Sequence, residues 1–267
     1  MPDNVSRKDF VALAGMAVAA ETVSASTAEA AAPPHKAPAK THPKPSLGSE
    51  PEAYTYLTEP ESAFVEAAVD RLIPADELGA GGREAGVAFY IDQQLSGQYG
   101  YAAKMYRQGP WVPDAAPDFG YQLPLTPQQV YRLGIAATNA YCQKTYGKTF
   151  DKLNAAHQDE VLTALDGGKL SFDEVPAKTF FEMLYGNTVE GFFADPLYGG
   201  NRDKVGWKLV GFPGAAAAYY PFIEKHNVPY NVAPQSVADL QRAESTAMSG
   251  MDMDAHVALA KKALGVH

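Results

Sequence analysis

The sequence predicts a mainly α protein, an irregular helical domain carrying long loops rich in proline and aromatic residues. Three observations carry this. Apolar residues recur at helical spacing in one segment after another, threonine-led capping boxes open two of those segments, and β-branched alternation is scarce. No internal repeat is visible. With 267 residues the chain is long enough for one domain with a sizeable core.

In chain order, residues 1–31 read as an export leader. Arg7 and Lys8 precede the short apolar run VALAGMAVAA, and small residues with an A-x-A-like site at Ala28 and Ala30 follow. Ser6-Arg7-Lys8-Asp9-Phe10 looks like a twin-arginine signal in which Lys8 stands in place of the second arginine. The apolar core falls well short of the ~20 residues that span a bilayer. Residues 32–52, rich in Pro, Ala and Lys, read as an extended linker. His35 and His42 lie in it without the three or four converging ligands that a metal site needs.

Residues 53–235 form the predicted helical domain. Thr58-Glu59-Pro60-Glu61 is a capping box, and Phe64, Val65, Ala68, Leu72 and Ile73 then share a face up to Pro74. A second helix is expected from Arg83 to about Ser96. Thr126-Pro127-Gln128-Gln129 opens a third, reaching about Tyr146, and a shorter one from Asn154 to Leu165 ends at Gly167-Gly168. Pro176 suits the first turn of a fifth, in which Phe180, Phe181, Leu184, Tyr185, Val189, Phe192 and Phe193 recur at helical spacing. Pro196 pushes Asp195 out of the α region and ends it. Gly199 and Gly200 are expected to take positive φ, and Asn201 to cap a helix from Arg202 to about Leu209. Gly206 beside Trp207 suggests a close backbone approach next to a large anchor, with Gly211-Phe212-Pro213-Gly214 closing the unit.

Two segments are too long and too aromatic for ordinary connections. Residues 98–124 carry Tyr99, Tyr101, Tyr106, Trp111, Phe119 and Tyr121 among four prolines, and residues 212–234 carry Tyr219, Tyr220, Phe222 and Tyr230 among four more. Aromatic side chains stiffened by proline suit interface anchors; the alternative is that both segments fold back over their own core. Residues 236–267 form a C-terminal tail. Met248, Met251, Met253 and His256 are soft ligands of the kind that bind Cu(I), but the same residues read equally as a surface helix or flexible tail.

Charge and motif content exclude several classes. A net charge of −9 argues against a nucleic-acid partner. A single cysteine, Cys142, excludes an internal disulfide and a C-x-x-C-H haem attachment, and reads as a buried, inert thiol. Gly79-Ala80-Gly81-Gly82 follows a helix rather than a strand and lacks the dinucleotide fingerprint. There is no P-loop and no G-x-S-x-G. His157-Gln158-Asp159-Glu160 lacks the partners of a di-iron site, and the acidic spacing between Asp195 and Asp203 does not match a calcium loop. Glu190 and Asp195 read as turn-positioning carboxylates, bonded to nearby backbone amides.

The span TVEGFFADPLYGGNRDKVGWKLVGFPG, residues 188–214, is the most distinctive part of the chain. Its pattern of Glu190-Gly191, Asp195-Pro196, Tyr198-Gly199-Gly200-Asn201, Gly206-Trp207 and Gly211-Phe212-Pro213-Gly214 resembles the gluconate 2-dehydrogenase subunit 3 family. The resemblance implies a non-catalytic small subunit with no cofactor of its own, and makes these residues, with Trp111, the candidate motif or partner interface. It further implies a large subunit that holds FAD and oxidises gluconate or a related sugar or polyol. A multihaem cytochrome c subunit would then take the electrons. The small subunit would assist maturation and folded export of its partner, in a periplasmic location, with membrane association only through the complex. Two other readings stay open: a stand-alone periplasmic binding or scaffold protein that stacks sugars on its aromatic loops, and an independent enzyme using Glu190 and Asp195.

Overall fold

One helix touches five others. The computed structural model describes residues 53–112, 115–215, 223–228 and 233–241. Through residue 215 these hold six α-helices, α1 Glu59–Leu72, α2 Val87–Ser96, α3 Pro127–Tyr146, α4 Ala155–Asp166, α5 Ala177–Phe193 and α6 Val205–Val210, and residues 237–241 are helical as well. Helix α5 packs against α1, α2, α3, α4 and α6, and Phe180, Leu184 and Phe192 are buried along it. The described residues form no strand, only isolated bridges between Asp76 and Gly79 and between Gly214 and Gln235. The expected mainly helical fold is what the chain adopts. The leader and linker, the Met248–His256 cluster and, within residues 212–234, Tyr219, Tyr220, Phe222 and Tyr230 lie outside the described residues.

The helix starts follow their sequence signals. At Thr126 both arms of the capping box close: the Gln129 amide donates to the threonine hydroxyl at 3.3 Å, and the Gln129 side chain accepts from the Thr126 amide at 2.8 Å. At Thr58 the Glu61 carboxylate takes both the backbone N–H at 2.9 Å and the hydroxyl at 2.7 Å. Helix α4 begins at Asn154, whose side chain accepts from the His157 amide. Helix α2 begins four residues later than periodicity suggests, at Val87. Gly86, at φ 74°, is left-handed, and residues 83–86 are turns that close on Gly81 and Gly82.

The core gathers from every helix. Phe64 of α1 lies 4.6 Å from Phe150 and 6.1 Å from Phe180, and Tyr131 of α3 meets Phe180 edge-on at 5.9 Å. Cys142 is buried in this core, where desolvation pushes its thiol up to about 11. Arg71 clamps α1 to α4 by a bidentate pair with Asp159, both contacts at 2.7 Å.

The chain enters through a strap, residues 54–57, laid across α1, α2 and α3. Asp92 of α2, fully buried, receives the backbone amides of Thr55 (2.7 Å), Tyr56 (2.9 Å) and Leu57 (2.8 Å). Three N–H donors on one carboxylate satisfy a charge that burial would otherwise make costly. The Tyr54 hydroxyl donates to Glu66 of α1 at 2.7 Å, and that of Tyr56 to the Gln128 carbonyl of α3 at 2.8 Å.

Asp92→Ala strands three strap amides at about 1–3 kcal/mol each, so we expect stability to fall by about 3 kcal/mol or more. Asp92→Asn keeps the Oδ1 acceptor for Tyr56 and Leu57 and is expected to fall between that variant and the parent in urea midpoint. For Cys142, a thiol reagent at pH 8 is expected to label the native protein far more slowly than the urea-unfolded chain. Between about pH 9 and 11 the folded state alone retains this proton, so stability falls as pH rises through that window.

Candidate functional site

The distinctive span folds as helix, tight turn and short helix, held at points where main chain touches main chain. A Cβ on Gly200 would lie 2.1 Å from the Gly191 carbonyl oxygen, and one on Gly206 would lie 2.2 Å from that of Phe192. Only glycine fits at either place. Gly200 is therefore required for approach, whereas the positive φ expected of both turn glycines belongs to Gly199 alone (φ 96°).

Asn201 sits at the centre, fully buried and left-handed at φ 47°. It does not cap a helix starting at Arg202, as its position suggested. Arg202–Lys204 is a 3-10 turn, and α6 starts only at Val205. The Asn201 side chain bridges instead: Nδ2 donates to the Ala194 carbonyl at the end of α5, and Oδ1 accepts from the Gly206 amide, both at 2.8 Å. Asp203 and Lys204 are also left-handed, at φ 55° and 57°. Each non-glycine residue there costs about 1–2 kcal/mol, so the turn exists because its surroundings determine it. The Arg202 amide donates to Ala85 at 3.0 Å, tying the turn to the entrance of α2. Lys204 pairs with Asp239 at 2.6 Å, and this contact holds the Asp239 carboxyl well below the usual range.

Trp207 is buried, and its indole N–H donates to the Phe193 carbonyl at 2.7 Å. Phe212 meets it edge-on at 5.3 Å. Gly211, left-handed, ends α6, and Gly214 and Pro213 lie beside Gln235, whose amide donates to the Pro213 carbonyl at 3.1 Å. Asp195 positions the turn through both oxygens: Oδ1 accepts from Leu197 at 2.9 Å and Oδ2 from Val237 at 2.8 Å. Glu190 departs from that expectation. No turn amide binds it among the described residues; it stands at the surface of α5, where partial desolvation raises its carboxyl. Its charge acts on Tyr90 and Tyr99, and burial together with that charge pushes Tyr90 up to about 12.

The structure thus brings Gly191, Asp195, Pro196, Gly199, Gly200, Asn201, Gly206, Trp207 and Gly214 into one unit and leaves Tyr198 exposed on its 3-10 turn. Trp111 is separate in sequence, half-buried in the 98–124 segment. Sequence reasoning missed Asp92 and Asn187. Asn187 of α5 donates to the Tyr131 hydroxyl at 3.0 Å and to that of Tyr99 at 3.3 Å. The available signal was a polar side chain on an otherwise apolar helix face. His157 stacks on Tyr146 at 4.6 Å. Among the described residues, no three His, Cys, Asp or Glu side chains converge as metal ligands, and no helix is long and apolar enough to cross a membrane.

Chemically, this arrangement joins backbone segments: its amide, carboxylate and indole groups are bonded to main chain. Such a site belongs to the class of proteins whose sequence signature encodes a shape. The chain matches the family described as Gluconate 2-dehydrogenase subunit 3 over residues 59–214, more than half its length, and belongs to that family. It is accordingly a subunit of a gluconate 2-dehydrogenase-like complex, which implies a catalytic partner. No curated protein and no solved structure matches it.

Gly200→Ala forces a methyl group against the Gly191 carbonyl, and overpacking of this kind costs about 1–3 kcal/mol. Gly186→Ala, in the same helix neighbourhood but facing open space, is expected to leave stability unchanged or raise it by up to about 1 kcal/mol. Thermal unfolding of the two variants should therefore move in opposite directions or diverge clearly.

Proposed function

We propose that this chain is the non-catalytic small subunit of an exported, membrane-associated, flavin-dependent dehydrogenase complex of the gluconate 2-dehydrogenase type. In this reading it assists maturation, folded export and stability of the FAD-bearing large subunit. That subunit oxidises a sugar or polyol and passes electrons to a multihaem cytochrome c subunit. Membrane association comes through the complex alone.

The observation that carries the reading is how the family span uses its polar groups. Both ends of the Asn201 amide, both oxygens of Asp195 and the Trp207 N–H bind main chain of this same protein, Asp195 Oδ2 reaching Val237 just beyond the domain. A catalytic site keeps groups aimed at a reacting atom; these are aimed at the backbone. The residue pattern of 1–31, with Arg7-Lys8 ahead of an apolar run, supports a reading of export as a folded passenger, and the Pro-, Ala- and Lys-rich residues 32–52 that follow it in sequence suit a linker. A small folded subunit carrying such a leader can escort a larger one through the same route only if the two associate first.

The test is co-expression of the catalytic subunits with and without this chain, followed by flavin content and dehydrogenase activity of the exported fraction. We expect most of the flavin-loaded enzyme to be lost from that fraction when the chain is omitted, and again when Arg7 and Lys8 are both replaced by Gln. Full export and activity without it would remove the escort role. Sugar binding by the isolated chain, read from Trp fluorescence, would favour the stand-alone binding protein.

A further inference from the structure

Residues 98–112 and 115–124 form a lobe that is cross-tied at several points. At its root the Gln128 amide donates to the Gly100 carbonyl at 3.3 Å, the Gln128 side chain donates to Leu95 at 2.7 Å, and Tyr99 and Tyr121 pack against the core. Midway, the Arg107 guanidinium donates to the Pro124 carbonyl. Nearer the tip, Gln122 accepts from the Val112 amide at 3.3 Å and donates to the Phe119 carbonyl at 2.9 Å. A loop with its ends joined and its arms bridged loses little freedom when something binds it.

What the lobe holds outward is apolar. Tyr101, Tyr106, Val112 and Phe119 are 64, 81, 52 and 73 % exposed. No other stretch of similar length among the described residues places four large apolar side chains in solvent to this degree. An aromatic side chain carries about 150–250 Å² of surface, so the three rings alone present about 400 Å². That is about half of the ~800 Å² that a standard interface takes from each partner.

We propose that this lobe is the docking arm for the catalytic subunit of the complex, and that it inserts Tyr106 and Phe119 into an apolar groove with acceptors at its rim for the tyrosine hydroxyls. The assignment rests on the subunit reading above. Belonging to a subunit family requires a protein interface, and the 188–214 span turns most of its anchors inward. The lobe turns its anchors outward. A lipid surface fits less well: Asp118 stands exposed beside Phe119, and a net charge of −9 is repelled by anionic headgroups.

The experiment measures binding of the full chain to the purified catalytic subunit, with the double variant Tyr106→Ser/Phe119→Ser and with Leu78→Ser, an exposed apolar residue outside the lobe. We expect the double variant to bind at least about tenfold more weakly, as truncation of interface anchors does. Its thermal midpoint should be unchanged, and Leu78→Ser should bind like the parent. Hydrogen exchange on the parent complex should show protection across residues 98–124, a readout that does not depend on the variant folding. Parent-like binding by the double variant with no protection of the lobe overturns the docking assignment and leaves the subunit reading standing. Failure of the parent chain to bind any catalytic subunit removes both. Self-association of the chain through the lobe, or lobe-dependent binding to phosphatidylglycerol vesicles, would assign this face to a second copy or to lipid and overturn the proposal.

Discussion

Main-chain contact without an intervening side chain is the constraint on which the rest of the molecule depends. Where Gly200 meets Gly191 and Gly206 meets Phe192, two segments approach to a distance that excludes a methyl group. This brings the start of α6 onto the end of α5. Trp207 can then bury its ring and bond Phe193, while Asn201 reaches both Ala194 and Gly206. Removal of the approach would leave the left-handed backbone at Asn201, Asp203 and Lys204 without the contacts that compensate it.

The opposite end of the domain solves a related problem by different means. Residues 54–57 are not helical, so their amides have no partners in sequence, and a buried carboxylate supplies them. Asp92 and Asn201 thus act alike. Each is a polar side chain sunk in an apolar setting, and each is tolerated because its hydrogen bonds go to backbone that would otherwise be unsatisfied. Helix α5 lies between the two arrangements and packs on both α2 and α6, which makes it the member through which the strap and the turn belong to one core.

This division of labour bears on function. Gly191, Gly200, Asn201, Gly206 and Trp207 of the family span are interior and set the shape, and the three most exposed large apolar side chains among the described residues, Tyr106, Phe119 and Tyr101, lie in a lobe rooted by Tyr99 and Tyr121. Glu190 lies beside that root, its charge acting on Tyr99 and Tyr90. In the docking reading proposed above, the family span serves folding and the aromatic lobe serves contact.

Much of the fold was legible in the residues themselves. Capping boxes at Thr58 and Thr126, Pro196 after Asp195 and the spacing of Phe180, Leu184 and Phe192 are local signals, so the helices they imply formed where expected, with α2 delayed by the left-handed Gly86. Trp207 as an anchor and Gly206 as a close approach were legible for the same reason: a large ring beside a residue without a side chain has few other uses. What Asn201 binds, why Gly200 has no side chain, and that Asp92 receives three amides were not legible, because each depends on an atom distant in sequence. Sequence by itself determined the helical elements and the family span. Tertiary structure alone decided which polar groups face inward and which aromatic ones face water, since burial is a property of the neighbours that folding supplies.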